Sequence, residues 1–113
     1  MVREITLHER MELFIDTLER CSIDLISASD EVIEYNIFEE FDTGVVSFLH
    51  IDNLTILNKA GMIDDEIVNK AKELRKLVLI LQKSTEWSLE FVKTSSRWRI
   101  ILELSDDIKK LIR

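Results

Sequence analysis

A chain of 113 residues with 33% charged and 46% hydrophobic side chains, two glycines and no proline has enough length for one hydrophobic core and too few turn residues for a β-sandwich. Its single cysteine, Cys21, excludes an internal disulfide and fits a reducing compartment. The net charge of −7 is unevenly spread: residues 1–66 hold 16 acids and 4 bases, net −12, whereas residues 67–113 hold 6 acids and 11 bases, net +5.

This polarity argues against nucleic acid as the main partner, because phosphate binding rests on Lys and Arg clusters, and it makes a basic protein surface the natural complement. The first ten residues lack the apolar run of about 7–15 residues that a signal peptide needs. The longest apolar run, Leu77 to Leu81, falls far short of the roughly 18 residues of a membrane span. The expectation is a cytoplasmic protein with no membrane partner. The composition predicts an all-α fold, a single domain over residues 1–113 built as a bundle of five or six helices around a central buried helix at about 43–60.

In chain order, Thr6-Leu7-His8-Glu9 reads as a capping box that starts the first helix. Leu7, Met11, Phe14, Leu18, Cys21 and Leu25 recur at spacings of four and three, so they form one seam, widened by Ile15 and Ile26. That seam docks on the chain's own core or, alternatively, zips two chains into a short coiled coil. Cys21 falls in this apolar register and reads as a small buried hydrophobe. Opposite it, Glu9, Glu12, Asp16 and Glu19 form an acidic stripe in which only Arg20, four residues after Asp16, offers relief on the same face. The stripe is either a solvated face or a surface held negative for a partner.

Ser29-Asp30 offers the next cap, and Val32, Ile33, Ile37, Phe38 and Phe41 suggest a shorter helix. Ile33, Tyr35 and Ile37 also alternate as a strand would, but no second strand exists to pair with it, so helix is the preferred reading. Glu39, Glu40 and Asp42 end this stretch as a second acidic group. From Val45 to Ala60 apolar side chains surround the helical axis, as in a helix placed inside a bundle. Asp42 or Thr43 would cap it, and Gly61 stands where a left-handed residue ends a helix.

Asp64-Asp65-Glu66 then begin a helix marked by Ile67, Ala71, Leu74, Val78 and Leu81, whose cations Lys70, Lys72, Arg75, Lys76 and Lys83 fill its middle and end, as the helix dipole favours. Ser84-Thr85-Glu86-Trp87 reads as the start of a fifth, short helix. Ser95 or Ser96 caps the last one, which carries Trp98, Ile101, Leu102, Ile108 and Ile112 and either continues through Ser105 or is recapped by Ser105-Asp106-Asp107.

Chemistry is sparse. His8-Glu9 begins like a zinc protease motif, but Glu12 stands where the second histidine must be. His50 within the apolar stretch reads as a core or boundary histidine, and Asn53 as a buried amide that must find partners. Gly44 and Gly61 stand alone, so no phosphate-cradling loop exists. No Ser, Cys or Lys has a recognisable base and orienting group, hence no catalytic residue, metal ligand or cofactor is expected. Arg97-Trp98-Arg99, with Lys93, Lys109, Lys110 and Arg113 nearby, mixes aromatic and basic residues as nucleic-acid contacts do. On a helix, though, the arginines flank a buried tryptophan and cover it with their stems.

Glu86-Trp87, Ser96-Arg97-Trp98-Arg99-Ile100-Ile101, Leu104-Ser105-Asp106-Asp107-Ile108 and Gly61-Met62-Ile63-Asp64 resemble stretches of small helical bacterial proteins. Some of those resemble immunity proteins that neutralise toxins of the colicin or contact-dependent inhibition type. The resemblance covers the second half of the chain and implies a cytoplasmic acidic protein that occludes a basic nuclease toxin. The expected function is thus an acidic protein-binding module without catalytic activity, an immunity-type inhibitor. Its partner-binding residues are Glu9, Glu12, Asp16, Glu19, Glu39, Glu40 and Asp42. The alternative is a homo-oligomeric scaffold or regulator that dimerises through the Leu7 to Leu25 seam.

Overall fold

The computed structural model describes residues 5–112, so Arg113, counted above among the C-terminal cations, and the first four residues of the N-terminal run lie outside it. α1 spans Leu7–Glu19, and the capping box is formed: the Thr6 hydroxyl accepts from the Glu9 N–H at 3.0 Å while the Glu9 carboxylate accepts from the Thr6 N–H at 2.9 Å. A short 3-10 turn follows at Ile23–Ser27. The seam therefore runs past its helix. Arg20 caps α1, yet Phe14, Leu18, Cys21 and Leu25 are all buried in the chain's own core.

Ser29 caps α2, Asp30–Ile33, by accepting from the Val32 N–H. The helix continues without a break through Glu34–Phe41 and into α3, Asp42–Ser47. In its middle the winding loosens to a π-helix, in which the Asp42 N–H reaches back five residues to the Ile37 carbonyl. The helical reading of 30–41 holds, and among the described residues there is no strand. Neither Asp42 nor Thr43 caps a helix, because the helical chain runs through both. Asp42 accepts from Gln82 Nε2 at 2.6 Å, and the Thr43 hydroxyl donates to the Glu39 carbonyl.

The central helix expected at about 43–60 is two helices. α3 ends at Ser47, and α4, Ile51–Lys59, starts after His50, whose extended backbone and Nδ1, accepting from the Asp52 N–H, make it an N-cap. The reason is geometrical: apolar side chains all round one straight helix cannot all meet a core this small. The break turns Val45, Leu49, Leu54 and Leu57 inward and leaves Val46 61% exposed, with Ile51 and Ile56 also outward. α4 ends as expected. Gly61 has φ 78°, its N–H donates to the Asn58 carbonyl, and the Met62 N–H donates to the Leu57 carbonyl.

α5, Asp65–Gln82, is capped by Asp64 and buries Ile67, Ala71, Leu74, Val78 and Leu81, the set read from spacing. The fifth helix starts later than expected: 84–88 is a turn, and α6 spans Leu89–Thr94. Local hydrogen bonds capture that turn, since the Glu86 N–H donates to the Ser84 hydroxyl and the Glu86 carbonyl accepts from Trp98 Nε1 at 2.7 Å. Ser95 caps α7, Ser96–Leu111, by accepting from the Arg97 and Trp98 N–H groups, and its hydroxyl donates to the Glu86 carboxylate. Trp98 is fully buried against Trp87 and Phe38, with centroids 5.1 and 6.1 Å away.

α7, rather than the stretch at 43–60, is the element with the most extensive packing. It packs against α5, α1, α6 and the 3-10 turn. The result is an all-α, single-domain bundle. α3 lies close along α1, where a Cβ on Gly44 would come within 2.9 Å of the Thr17 Cβ, so glycine is what the approach of these two helices requires.

Candidate protein-binding surface

The acidic stripe of α1 is on the surface, and local partners already engage most of it. Glu9 belongs to the capping box, Glu12 meets His8 Nε2 at 2.9 Å, and Asp16 meets Arg20 at 3.6 Å. Glu19 is exposed at the end of the helix. In the second group Glu39 is exposed, Glu40 is half-buried, and Asp42 is turned towards α5 by its bond to Gln82. Asp42 is thereby drawn into a side-chain contact across the bundle, which the string Glu39-Glu40-Phe41-Asp42 did not reveal.

Asp16 and Glu40 are brought together through Arg20. The Arg20 guanidinium, besides its contact with Asp16, donates to Asn36 Oδ1 at 3.3 Å and lies 5.4 Å from the centroid of the Tyr35 ring. The Glu40 carboxylate beside the Tyr35 hydroxyl raises the phenol above its ordinary pKa against the opposing pull of Arg20. The π-winding supports this pairing, because Tyr35 and Glu40 stand five residues apart, the interval that a π-turn brings round. Regular α-helical spacing would not have suggested it.

Next to this cluster, Glu19, Arg20, Asp24, Val32, Asn36 and Lys109 line an open groove of about 420 Å³. Lys109 is held at its edge by Asp106 at 2.9 Å and by the Cys21 carbonyl at 3.1 Å. Burial acts to raise the Asp106 carboxyl, but the Ile23 N–H and the Lys109 ammonium outweigh it and keep the group below its ordinary pKa. The surface therefore mixes carboxylates from α1, the 3-10 turn and the π-helix with the exposed apolar bodies of Tyr35 and Val32. Arg20, Tyr35, Asn36 and Asp24 are absent from the sequence-predicted set. Arg20 was legible as the partner of Asp16, but nothing in the sequence marks Tyr35 and Val32 as exposed.

The remaining chemistry is structural. Cys21 is fully buried, and burial pushes its thiol up to about 12. Asn53, only 3% exposed, accepts from Arg10 at 2.9 Å and donates to the Phe48 carbonyl at 2.8 Å. His50 is a boundary residue at a helix start. Arg97 and Arg99 pair with Glu86 and Glu103 on either side of buried Trp98, the arrangement expected of a core tryptophan. Among the described residues no helix is long and apolar enough to cross a membrane, and no three His, Cys, Asp or Glu side chains converge as a metal site requires. Comparison with protein-family models, with curated proteins and with solved structures gives no match to the chain.

Proposed function

We propose that the chain is an acidic protein-binding module, an immunity-type inhibitor that occludes the basic surface of a nuclease-like toxin domain in the cytoplasm. It needs no cofactor and performs no catalysis in this role. The observation that carries the reading is the grouping of Asp16, Glu19, Asp24 and Glu40 around Arg20, with Tyr35 and Val32 exposed among them. Acids alone give steering, whereas an exposed aromatic within them supplies the kind of anchor on which binding energy concentrates. The open groove beside it offers Glu19 and Asp24 to a lysine or arginine of the partner.

The test is binding to whatever basic nuclease-like domain the neighbouring gene encodes, with kinetics for wild type, Glu12→Lys with Asp16→Lys, and Tyr35→Ala. The charge reversals are expected to slow association at least about tenfold, and the wild-type rate to fall as salt shortens the Debye length from about 10 Å at 0.1 M to about 3 Å at 1 M. Tyr35→Ala is expected to speed dissociation instead. Equal binding by all three proteins, without salt dependence, would place the interface elsewhere or remove the toxin reading.

A further inference from the structure

The surface of α5 differs in kind from that of α1. Lys72, Lys76 and Lys83 follow one stripe of this helix at spacings of four and seven, and among the described residues none of them joins an ion pair. Where the stripe borders α7, an apolar notch of about 220 Å³ opens between Leu77, Ile80, Leu81, Ile100 and Ile101, with Arg97 at its rim. Its lips, Ile80 and Ile100, are 47% and 56% exposed. An apolar notch that shares Ile80 with a row of unpaired lysines, and has the Glu86-paired Arg97 at its rim, fits an acidic surface that carries an apolar side chain.

This chain presents such a surface. On α1, Leu13 is 36% exposed at the edge of the stripe formed by Glu9, Glu12 and Asp16. The two surfaces cannot meet within one molecule, because α1 and α5 both pack on α7 and make no comparable contact with each other. We propose that a second copy of the chain docks head to tail, the acidic face of α1 on one copy seated on the lysine row and α5–α7 notch of the next. The contact joins two different patches, so it is heterologous, and the growing assembly keeps one free face of each kind until a ring closes.

The net charge of −7 opposes association, but only at range. With molecular extents of 38 × 34 × 25 Å, most charges of two touching copies lie well beyond the Debye length of about 8 Å at physiological salt. The charges across the contact are within it, so local complementarity decides the outcome. The inference does not depend on any foreign partner of the acidic face.

The experiment is sedimentation of the full chain from about 10 µM to about 1 mM, a range that reads weak dissociation constants. The wild type is expected to associate at physiological salt and to dissociate towards monomer near 1 M salt. Two variants separate the faces: Lys76→Glu with Lys83→Glu, and Glu12→Lys with Asp16→Lys, all at surface positions, with helical content checked by circular dichroism. Each variant alone is expected to associate at least about tenfold more weakly than wild type. Mixed together they retain one intact face of each kind, and their two reversed faces are again opposite in charge, so the mixture is expected to associate where neither variant does alone. A wild type that stays monomeric throughout overturns the proposal. So does association that survives either pair of substitutions, or a mixture that does not associate, since these point to a different contact or a different occupant of the notch.

Discussion

His50-Ile51-Asp52-Asn53 and Ser105-Asp106-Asp107 are both polar interruptions of a long apolar run, yet the chain breaks at the first and runs on through the second. At Ser105 the hydroxyl donates to the Leu18 carbonyl of α1 at 2.9 Å, and Asp106 accepts from the Ile23 N–H at 3.0 Å. The polar atoms of α7 thus satisfy the backbone where α1 ends, and α7 has no reason to bend. At 48–50 the direction is reversed. The Phe48 carbonyl is left without a helical partner by the break, and Asn53 supplies one while Arg10 of α1 holds the other end of the amide. A polar residue in a helical run breaks it or not according to which neighbouring backbone group needs a partner.

The largest expected effect comes from removing the support of the break. Asn53→Ala leaves the Phe48 carbonyl unsatisfied in the interior and the Arg10 guanidinium without its acceptor, a loss of about 2–3 kcal/mol of stability. Thermal denaturation followed by circular dichroism should show the midpoint falling by roughly 10 °C for a domain of this size. A shift of a degree or two would mean that the break is fixed by apolar packing alone.

Ser105→Ala tests the unbroken side and is expected to cost about 1 kcal/mol, one buried hydrogen bond, with helical content unchanged. An increase in helix length or a loss of helicity would show that Ser105 shapes α7 rather than tying it to α1.

The mildest test near neutral pH concerns Cys21, which borders the Ser105 contact. An unfolded thiol ionises near 9.0, whereas burial pushes this one up to about 12, with Lys109 and Ser105 pulling weakly the other way. The thiol is neutral in both states below about pH 9 and contributes no pH dependence there. Above it the unfolded chain releases a proton that the folded chain keeps, so stability falls from about pH 9 towards about 12. Comparing urea denaturation of wild type and Cys21→Ala across that window isolates the thiol: the wild type should lose the more stability as pH rises. Parallel curves would place water at Cys21. In the native protein a thiol reagent should label it no faster than the chain unfolds.

Local spacing and local caps control whatever residues within a turn or two of each other can fix. The capping box at Thr6, the ends of α4 at Gly61 and α5 at Asp64, the core face of α5 and the cap at Ser95 all follow from residues within one or two turns of each other. The all-α class follows from the same signals together with the lack of proline. The seam was legible as core from Phe14 to Leu25, although Leu7 at its start is 47% exposed and α1 stops at Glu19, because burial depends on which way a side chain faces and survives a change from α to 3-10 winding. Tertiary structure decided the rest. Whether 43–60 was one helix depended on Arg10, forty-three residues from its partner Asn53, and whether 96–111 was one helix depended on the carbonyl of Leu18. The acidic residues were countable in advance, but their grouping was not: a π-turn and one arginine bring Asp16 to Glu40, and Gln82 draws Asp42 towards α5. Charge is a property of each residue, while a surface is a property of the contacts that orient them, and those contacts join elements far apart in the chain.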